Sequence, residues 1–334
     1  MQGVSRRTGR WLALVAAAGL LVAGCGGNTS TGNSSDGAAA AADCGTLNMA
    51  VNPWVGYEAS AYVVGQLAKD YLGCTVNYKP LNEQVSWQGF QSGDVDVVIE
   101  NWGHDDLKAK YIDQLKTAVD LGPNGNIGII GWFVPPWLAK AHPDVLNYKN
   151  LNKYASNFAT SESGGQGQLS DGDPSYVTND GALVKNLGLN YKVVYLGSEP
   201  ALITGFRQAE KNKTWFIGYF YSPQWFLSEV PLVQVQLPPY KPGCDTPPAS
   251  TDCGYPKYIL DKIASSKWVD ANSSAVPLVK NFKWTNDDQN IVAKYIAQDG
   301  MSPEDAAQKW IDANPDVWQP WFADTGVTPT PSSS

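Results

Sequence analysis

Arginine is scarce in this 334-residue chain: Arg6, Arg7 and Arg10 open it, and Arg207 is the only other one. The guanidinium fork is the usual grip on carboxylate and phosphate. An anionic group on any ligand must therefore be held mainly by other donors. Histidine is scarcer still, with His104 and His142 alone. A serine triad would have to use one of them, and no G-x-S-x-G elbow accompanies either. The five cysteines form no paired C-x-x-C clusters, so the ligand spacing of a zinc site is missing. No metal and no cofactor are expected. Beyond residue 25 there is no second long apolar run, which argues against a further membrane span, and no internal repeat.

What is present begins with "MQGVSRRTGRWLALVAAAGLLVAGC". A basic start, an apolar core and small residues before a cysteine make residues 1–24 an export signal. Its end, Val22-Ala23-Gly24-Cys25, resembles the bacterial lipobox, in which the cysteine becomes the lipid-bearing first residue of the mature chain. Acyl chains contribute about 0.8 kcal/mol per buried methylene, so a lipidated Cys25 predicts anchoring to the cell membrane on its extracytoplasmic side. Residues 25–43 carry no large apolar side chain and read as a flexible tether. Residues 325–334 read as a disordered tail on the same ground. Without residues 1–24 the chain keeps 21 basic and 32 acidic residues, a formal −11. Such a chain is a poor partner for nucleic acid.

The remaining cysteines fit an exported protein. Cys44 just precedes the first predicted strand and Cys74 the second, so neighbouring parallel strands would bring them together. Cys244 and Cys253 flank "CDTPPASTDC", a loop rich in turn formers. Four cysteines allow three pairings; Cys44–Cys74 and Cys244–Cys253 are expected, in an oxidising compartment.

Between tether and tail, strand-like and helix-like stretches alternate. "TLNMAV", "TVNYKPL", "VDVVIE" and "NIGIIGWFVP" read as strands, separated by "YEASAYVVGQLAKDYLG", "NEQVSWQGFQSG" and "HDDLKAKYIDQL" as helices. From about residue 136 the alternation restarts with "YKVVYLG" and "TWFIGYFY" as strands, and the final third reads as helical. Alternation of this kind predicts an α/β fold with a parallel sheet covered by helices on both faces. Two such halves predict two lobes with a cleft between them. The expected division is 44–135 for the first lobe, 136–234 for the second, and 235–324 returning to the first.

In open α/β sheets ligands bind beyond the carboxyl ends of the strands. Strand ends usually carry turn formers, yet here they carry Trp54, Trp102, Trp132 and the Tyr219–Trp225 cluster. Ring faces are electronegative, and a cation over one gains roughly 0.5 to 2 kcal/mol, which is how aromatic cages hold quaternary ammonium groups. The competing reading is packing, assigned here to Trp87, Trp215, Trp268, Trp284, Trp310, Trp318 and Trp321.

The order and spacing of "VNPWVGYEAS", "GDVDVVIENW", "GWFVPPW", "GYFYSPQWF" and "SPEDAAQKWIDANPDVWQPWF" resemble the substrate-binding proteins of ABC importers for glycine betaine, proline betaine, choline and related compounds. The resemblance implies a two-lobed periplasmic-binding-protein-like fold of type II, with the ligand in the interlobe cleft. It also implies an aromatic box for the trimethylammonium group and a permease as partner. Carried over by position, Trp54 and Trp102 are walls from the first lobe, Trp132 is a weaker match, and Tyr221 replaces the aromatic of a W-x-P-H-like segment. In that segment Gln224 stands where relatives have His. For a ligand carboxylate the donors on offer are backbone amides (those of "ESGGQGQLSDGD" among them), indole N–H groups or His104. Glu58 and Glu100 would instead favour a net cation such as choline.

The rival reading is a lipid-anchored carbohydrate-binding protein or glycoside hydrolase, with rings stacking on sugar and Glu58 and Glu100 as the carboxylate pair. The chain lacks an eightfold βα pattern and further carboxylates at obvious site positions. A binding protein rather than an enzyme is therefore expected.

Overall fold

The computed structural model describes residues 44–176 and 178–330. The expected export signal, Cys25, the whole of the tether and residues 331–334 lie outside the described residues. The strands are β1 Thr46–Val51, β2 Thr75–Pro80, β3 Val97–Asn101, β4 Ala118–Val134, β5 Gly167–Asp171, β6 Tyr191–Tyr195, β7 Gly218–Ser222, β8 Val233–Gln234 and β9 Lys257–Ser265. They join in one mixed sheet of order β2-β1-β3-β9-β4-β7-β5-β6, with β8 paired to β4.

Parallel pairing holds within each half, β1 with β2 and β3, and β5 with β6 and β7. A wholly parallel sheet is not found. Between the halves β3–β9, β9–β4 and β4–β7 are antiparallel. The 17-residue β4 carries the chain out to the second lobe and β9 brings it back. Two strands that cross the same boundary in opposite directions must pair antiparallel. The final third thus opens with a strand, although Asp261 and Lys262 inside it look unlike the core strand they belong to. Lys262 is buried, its ammonium donating to the Lys280 and Phe282 carbonyls at 2.8 Å each. Burial, assisted by Lys283, pushes its pKa down to about 7.

The helix α1, Val55–Leu72, is capped by Gly73 in the left-handed region (φ 68°), where glycine carries no Cβ penalty. It is buried nearly all round because the sheet covers one side and the helices Asn286–Ala297 and Pro303–Ala313 cover the other. α2, Glu83–Ser92, starts at Asn82, whose side chain accepts from the Val85 N–H at 3.0 Å. Cys44 is joined to Cys74 across the start of β1 and β2, a closure over 30 residues. Such a loop is worth about 3–4 kcal/mol in chain entropy. Cys244 is joined to Cys253.

Two apolar clusters organise the core. One contains the first-lobe strands and α1 and extends to Phe206, Phe220 and Phe226; the other gathers Leu138, Val145, Leu151, Leu169, Leu183 and Ile217. The return to the first lobe comes later than residue 235. Val235, Leu237 and Tyr255 pack with the second cluster, and Asn186 donates to the Ala249 and Thr251 carbonyls of the disulfide loop. The crossing is made by β9. The expected tail also begins later, since Val327 packs on the first cluster and Pro329 is buried. Trp87, Trp268, Trp284, Trp310, Trp318 and Trp321 are buried in the core, and Trp215 packs half-buried against the second cluster.

Candidate functional site

Where the two lobes meet, Trp54, Trp102, Tyr176, Tyr219, Tyr221 and Tyr258 line a cavity of about 40 Å³ together with Ile130, Glu83 and His104. Trp54 follows β1 and Trp102 follows β3, as the strand-end argument requires. Tyr219 and Tyr221 project from one face of β7, Tyr258 comes from β9, and Tyr176 from the loop after β5. The rings meet edge to face, which suits their quadrupoles: Trp102 with Tyr221 at 5.7 Å, Trp102 with Tyr258 at 5.9 Å, and Trp54 with Tyr176 at 6.0 Å.

One buried carboxylate fixes both tryptophans. Glu100 Oε1 accepts from Trp54 Nε1 and from Trp102 Nε1, each at 2.9 Å, while Oε2 accepts from Ser60 at 3.2 Å and Gln289 at 2.8 Å. Burial pushes the Glu100 pKa up, against the pull of these four hydrogen bonds. Both indole N–H groups are thereby committed to Glu100, so they are not the donors for a ligand carboxylate that the sequence offered.

A second buried carboxylate joins the lobes. Trp54 stands at the N-cap of α1 and makes no side-chain cap. The cap comes from Glu199 Oε2, which accepts the Val55 N–H at 2.9 Å. Its Oε1 accepts from the Tyr221 hydroxyl and, at 2.6 Å, from Gln224 Nε2. Gln224 thus holds Glu199 and the Phe226 N–H rather than lining the cavity. The Tyr176 hydroxyl adds a second link, donating to the Pro53 carbonyl at 2.9 Å.

The polar corner of the cavity is His104 Nε2 against Glu83 Oε1 at 2.8 Å. Burial opposes a charge on this imidazole, but Glu83, with help from Asp106 and Asp261, outweighs it and raises the His104 pKa.

Of the residues expected at the site, Trp54, Trp102, Tyr221 and His104 line the cavity, and Glu100 stands behind the tryptophans. Trp132 does not line it. It lies two residues past Ile130 on the same face of β4, about 6.6 Å farther along the strand. There it is sealed in the second-lobe core, donating to Asp180 Oδ1 at 2.8 Å. Glu58 does not line it either: it faces an outer cleft of about 940 Å³ that shares Trp54 with the cavity. The glycine-rich stretch forms the turn before β5 and the strand itself, away from the cavity lining. His142 packs against Trp215, ring centroids 4.7 Å apart. Sequence reasoning missed Tyr176, Tyr258 and Glu83 as lining residues and Glu199 as a joining one. Tyr258 could have been found only by recognising β9; Glu83 and Glu199 read as ordinary acidic helix starts.

Among the described residues no helix is long and apolar enough to cross a membrane. The chain is 27% identical over 292 residues to the trimethylamine N-oxide-binding protein of Pelagibacter ubique (strain HTCC1062), covering 80% of this chain and 88% of that one. Its fold is that of an ABC-transporter choline-binding protein in complex with choline (TM-score 0.67, 18% identity, 84% of this chain and 92% of the other). It is also that of lactococcal OpuAC, closed around glycine betaine (TM-score 0.63, 22% identity, 83% and 99%). The glycine betaine, L-proline-binding protein of Borrelia burgdorferi is similar in the same way (TM-score 0.67, 16% identity, 84% and 99%). The family described as the substrate binding domain of ABC-type glycine betaine transport systems matches residues 45–313. With that match across most of the chain, this protein belongs to the family of substrate binding domains of ABC-type glycine betaine transport systems.

Proposed function

We propose that this protein captures a compact trimethylammonium osmolyte, glycine betaine or a related betaine, choline or trimethylamine N-oxide, in the aromatic cage, and hands it to a membrane permease. The observation that carries this reading is six rings from both lobes around one cavity of about 40 Å³. A cavity needs about 10–15 Å³ on the same measure to hold one water, so the space suits a group of a few heavy atoms. Rings of this kind solvate a cation that cannot donate hydrogen bonds. The acids around them, Glu83 in the lining and Glu100 and Glu199 behind it, add a field of the matching sign.

Lobe closure is the mechanism. Trp54 and Trp102 come from the first lobe, Tyr176, Tyr219 and Tyr221 from the second. Only the closed form presents both sets to the cation, so ligand shifts the population toward closure. In this structure the Glu199–Val55 and Tyr176–Pro53 hydrogen bonds tie one lobe to the other. A sugar site is disfavoured by the same geometry. Among the described residues Glu83 is the one carboxylate lining the cavity, so no pair of the kind a glycoside hydrolase uses is assembled there.

Calorimetry against betaine, proline betaine, carnitine, choline, trimethylamine N-oxide and several sugars tests the reading. Trp54→Ala and Trp102→Ala should each weaken binding by about 1 kcal/mol or more, roughly fivefold. Unaltered affinity in both variants would remove the cage from the account. The residue proposed to carry the anchor is Cys25. Cys25→Ser should then leave the protein free of the membrane fraction, and retention there would count against lipidation.

A further inference from the structure

Glu58 faces the outer cleft, and the cage makes no use of it. On the trimethylammonium reading, on which this proposal rests, we propose that the outer cleft is a second, weaker binding site for the same class of ligand. It takes a small organic cation that also carries an oxygen, before that ligand passes Trp54 into the cage.

The cleft has the size of a ligand site: about 940 Å³, within the roughly 300–1,000 Å³ of small-molecule pockets. Both lobes wall it. Trp54 belongs to its lining and to that of the cavity, so one indole separates the two spaces. Glu58 and Tyr62 are four residues apart on α1 and so share a face. Tyr62 stacks on Tyr78 of β2, ring centroids 3.8 Å apart. All three line the cleft, which puts a carboxylate beside electronegative ring faces.

Among the described residues the Glu58 carboxylate has no hydrogen-bond or ion-pair partner. Burial, and then Glu199 and Glu304, push its pKa up, as happens to an acid that no cation offsets. The one cation in the lining among the described residues is Arg207, and it is committed elsewhere: Nε and Nη2 donate to Glu229 at 2.7 and 2.9 Å. Asp173 and Glu199 add two further acids, so the lining is net negative. The second-lobe wall supplies a donor. Trp225, 3% exposed, is part of the lining, and its indole N–H has no hydrogen-bond partner. An unpaired buried N–H is a cost that a ligand oxygen would relieve. An acid with rings on one lobe and an N–H on the other suit an ammonium compound bearing a carboxylate or hydroxyl oxygen. A ligand held there stands one indole away from the cage, at a local concentration raised by the field of the acids.

Rate and equilibrium are read separately, with choline as the probe. Stopped-flow tryptophan fluorescence at low ionic strength should show association about threefold or more slower in Glu58→Gln, with dissociation unchanged. The difference should fade in high salt. Stability should not fall in this variant, because a raised pKa marks the charge as unfavourable to the fold. Trp102→Ala weakens the cage and leaves the cleft lining whole. In that variant millimolar choline should still move the Trp225 indole N–H resonance. Adding Glu58→Gln or Tyr62→Leu to it should cut the movement by about half or more. Wild-type association rates in Glu58→Gln overturn the proposal while leaving the cage intact. So does a Trp225 resonance that choline leaves unmoved in Trp102→Ala, or moves equally without Glu58 and Tyr62. Failure of the wild-type protein to bind any trimethylammonium compound overturns the cage reading, and the cleft proposal with it.

Discussion

Replacing Glu100 by Gln separates what the cage needs from what the fold needs. The carboxylate is 1% exposed and takes four hydrogen bonds, two of them from the cage indoles. Hydrogen bonds to a charged acceptor are worth about 1.5–3 kcal/mol against about 0.5–1.5 kcal/mol for neutral ones. The amide therefore gives up roughly 2 kcal/mol on the indole side alone, and its NH₂ meets Gln289 donor to donor. Against this, burial already raises the Glu100 pKa, so the fold prefers the uncharged group. The sign comes from linkage: with the native pKa raised, this group contributes less stability as pH climbs through the window above the ordinary carboxylate value. The two terms oppose each other, so the urea midpoint should fall by less than the lost hydrogen bonds alone would give. Affinity should not escape. For an assumed separation on the order of 7 Å between a cation on the indole faces and the carboxylate behind them, a unit charge is worth about 2.4 kcal/mol at an effective dielectric near 20. Calorimetry should therefore show a roughly fiftyfold weaker complex. A variant that folds like wild type and binds a trimethylammonium ligand equally well would refute the claim that this buried charge serves the cation.

Gly128→Ala should damage the cage from behind. A Cβ there would stand 2.5 Å from Cζ3 of Trp102 and 3.1 Å from Leu260, an overpacking that costs about 1–3 kcal/mol. Lower affinity with a lower thermal midpoint is expected; ligand binding at wild-type strength would show that Trp102 has room to move. Asp180, beside Asp171, has its pKa pushed up to about 7 by burial and by that neighbour. A carboxyl whose native value exceeds its unfolded value loses stabilisation as pH rises from about 4 to about 7. Asp180→Asn keeps an acceptor for Trp132 and Tyr255 and should flatten this decline, read as thermal midpoints at pH 5 and pH 8. Parallel wild-type and variant curves would place the pH dependence elsewhere.

Local signals carried much of this protein. Helix starts and stops such as Asn82, Gly73 and the Ser302–Pro303–Glu304 run are written in residues whose physics acts within one turn. The α/β alternation follows from hydrophobic period. Trp54 and Trp102 were legible because a strand end is a local position with a global meaning in this architecture. The charged residues of β9 concealed a strand, and with it Tyr258, because what makes Lys262 tolerable there is two carbonyls about twenty residues away in sequence. Trp132 has the same sequence context as the cage tryptophans and a different fate, decided by a displacement along β4 that no local pattern encodes.

By itself, the sequence determined the elements other than β9, the paired cysteines' neighbourhoods and which strand ends carry rings, because these depend on residues near one another in the chain. Only the tertiary structure decided that Glu100 grips both indoles, that Glu199 of one lobe caps the first helix of the other, and that Glu83 meets His104. Each of these is a buried charge whose cost is offset only by partners brought from 2 to 189 residues away. Burial and pairing at a distance are properties of the folded chain.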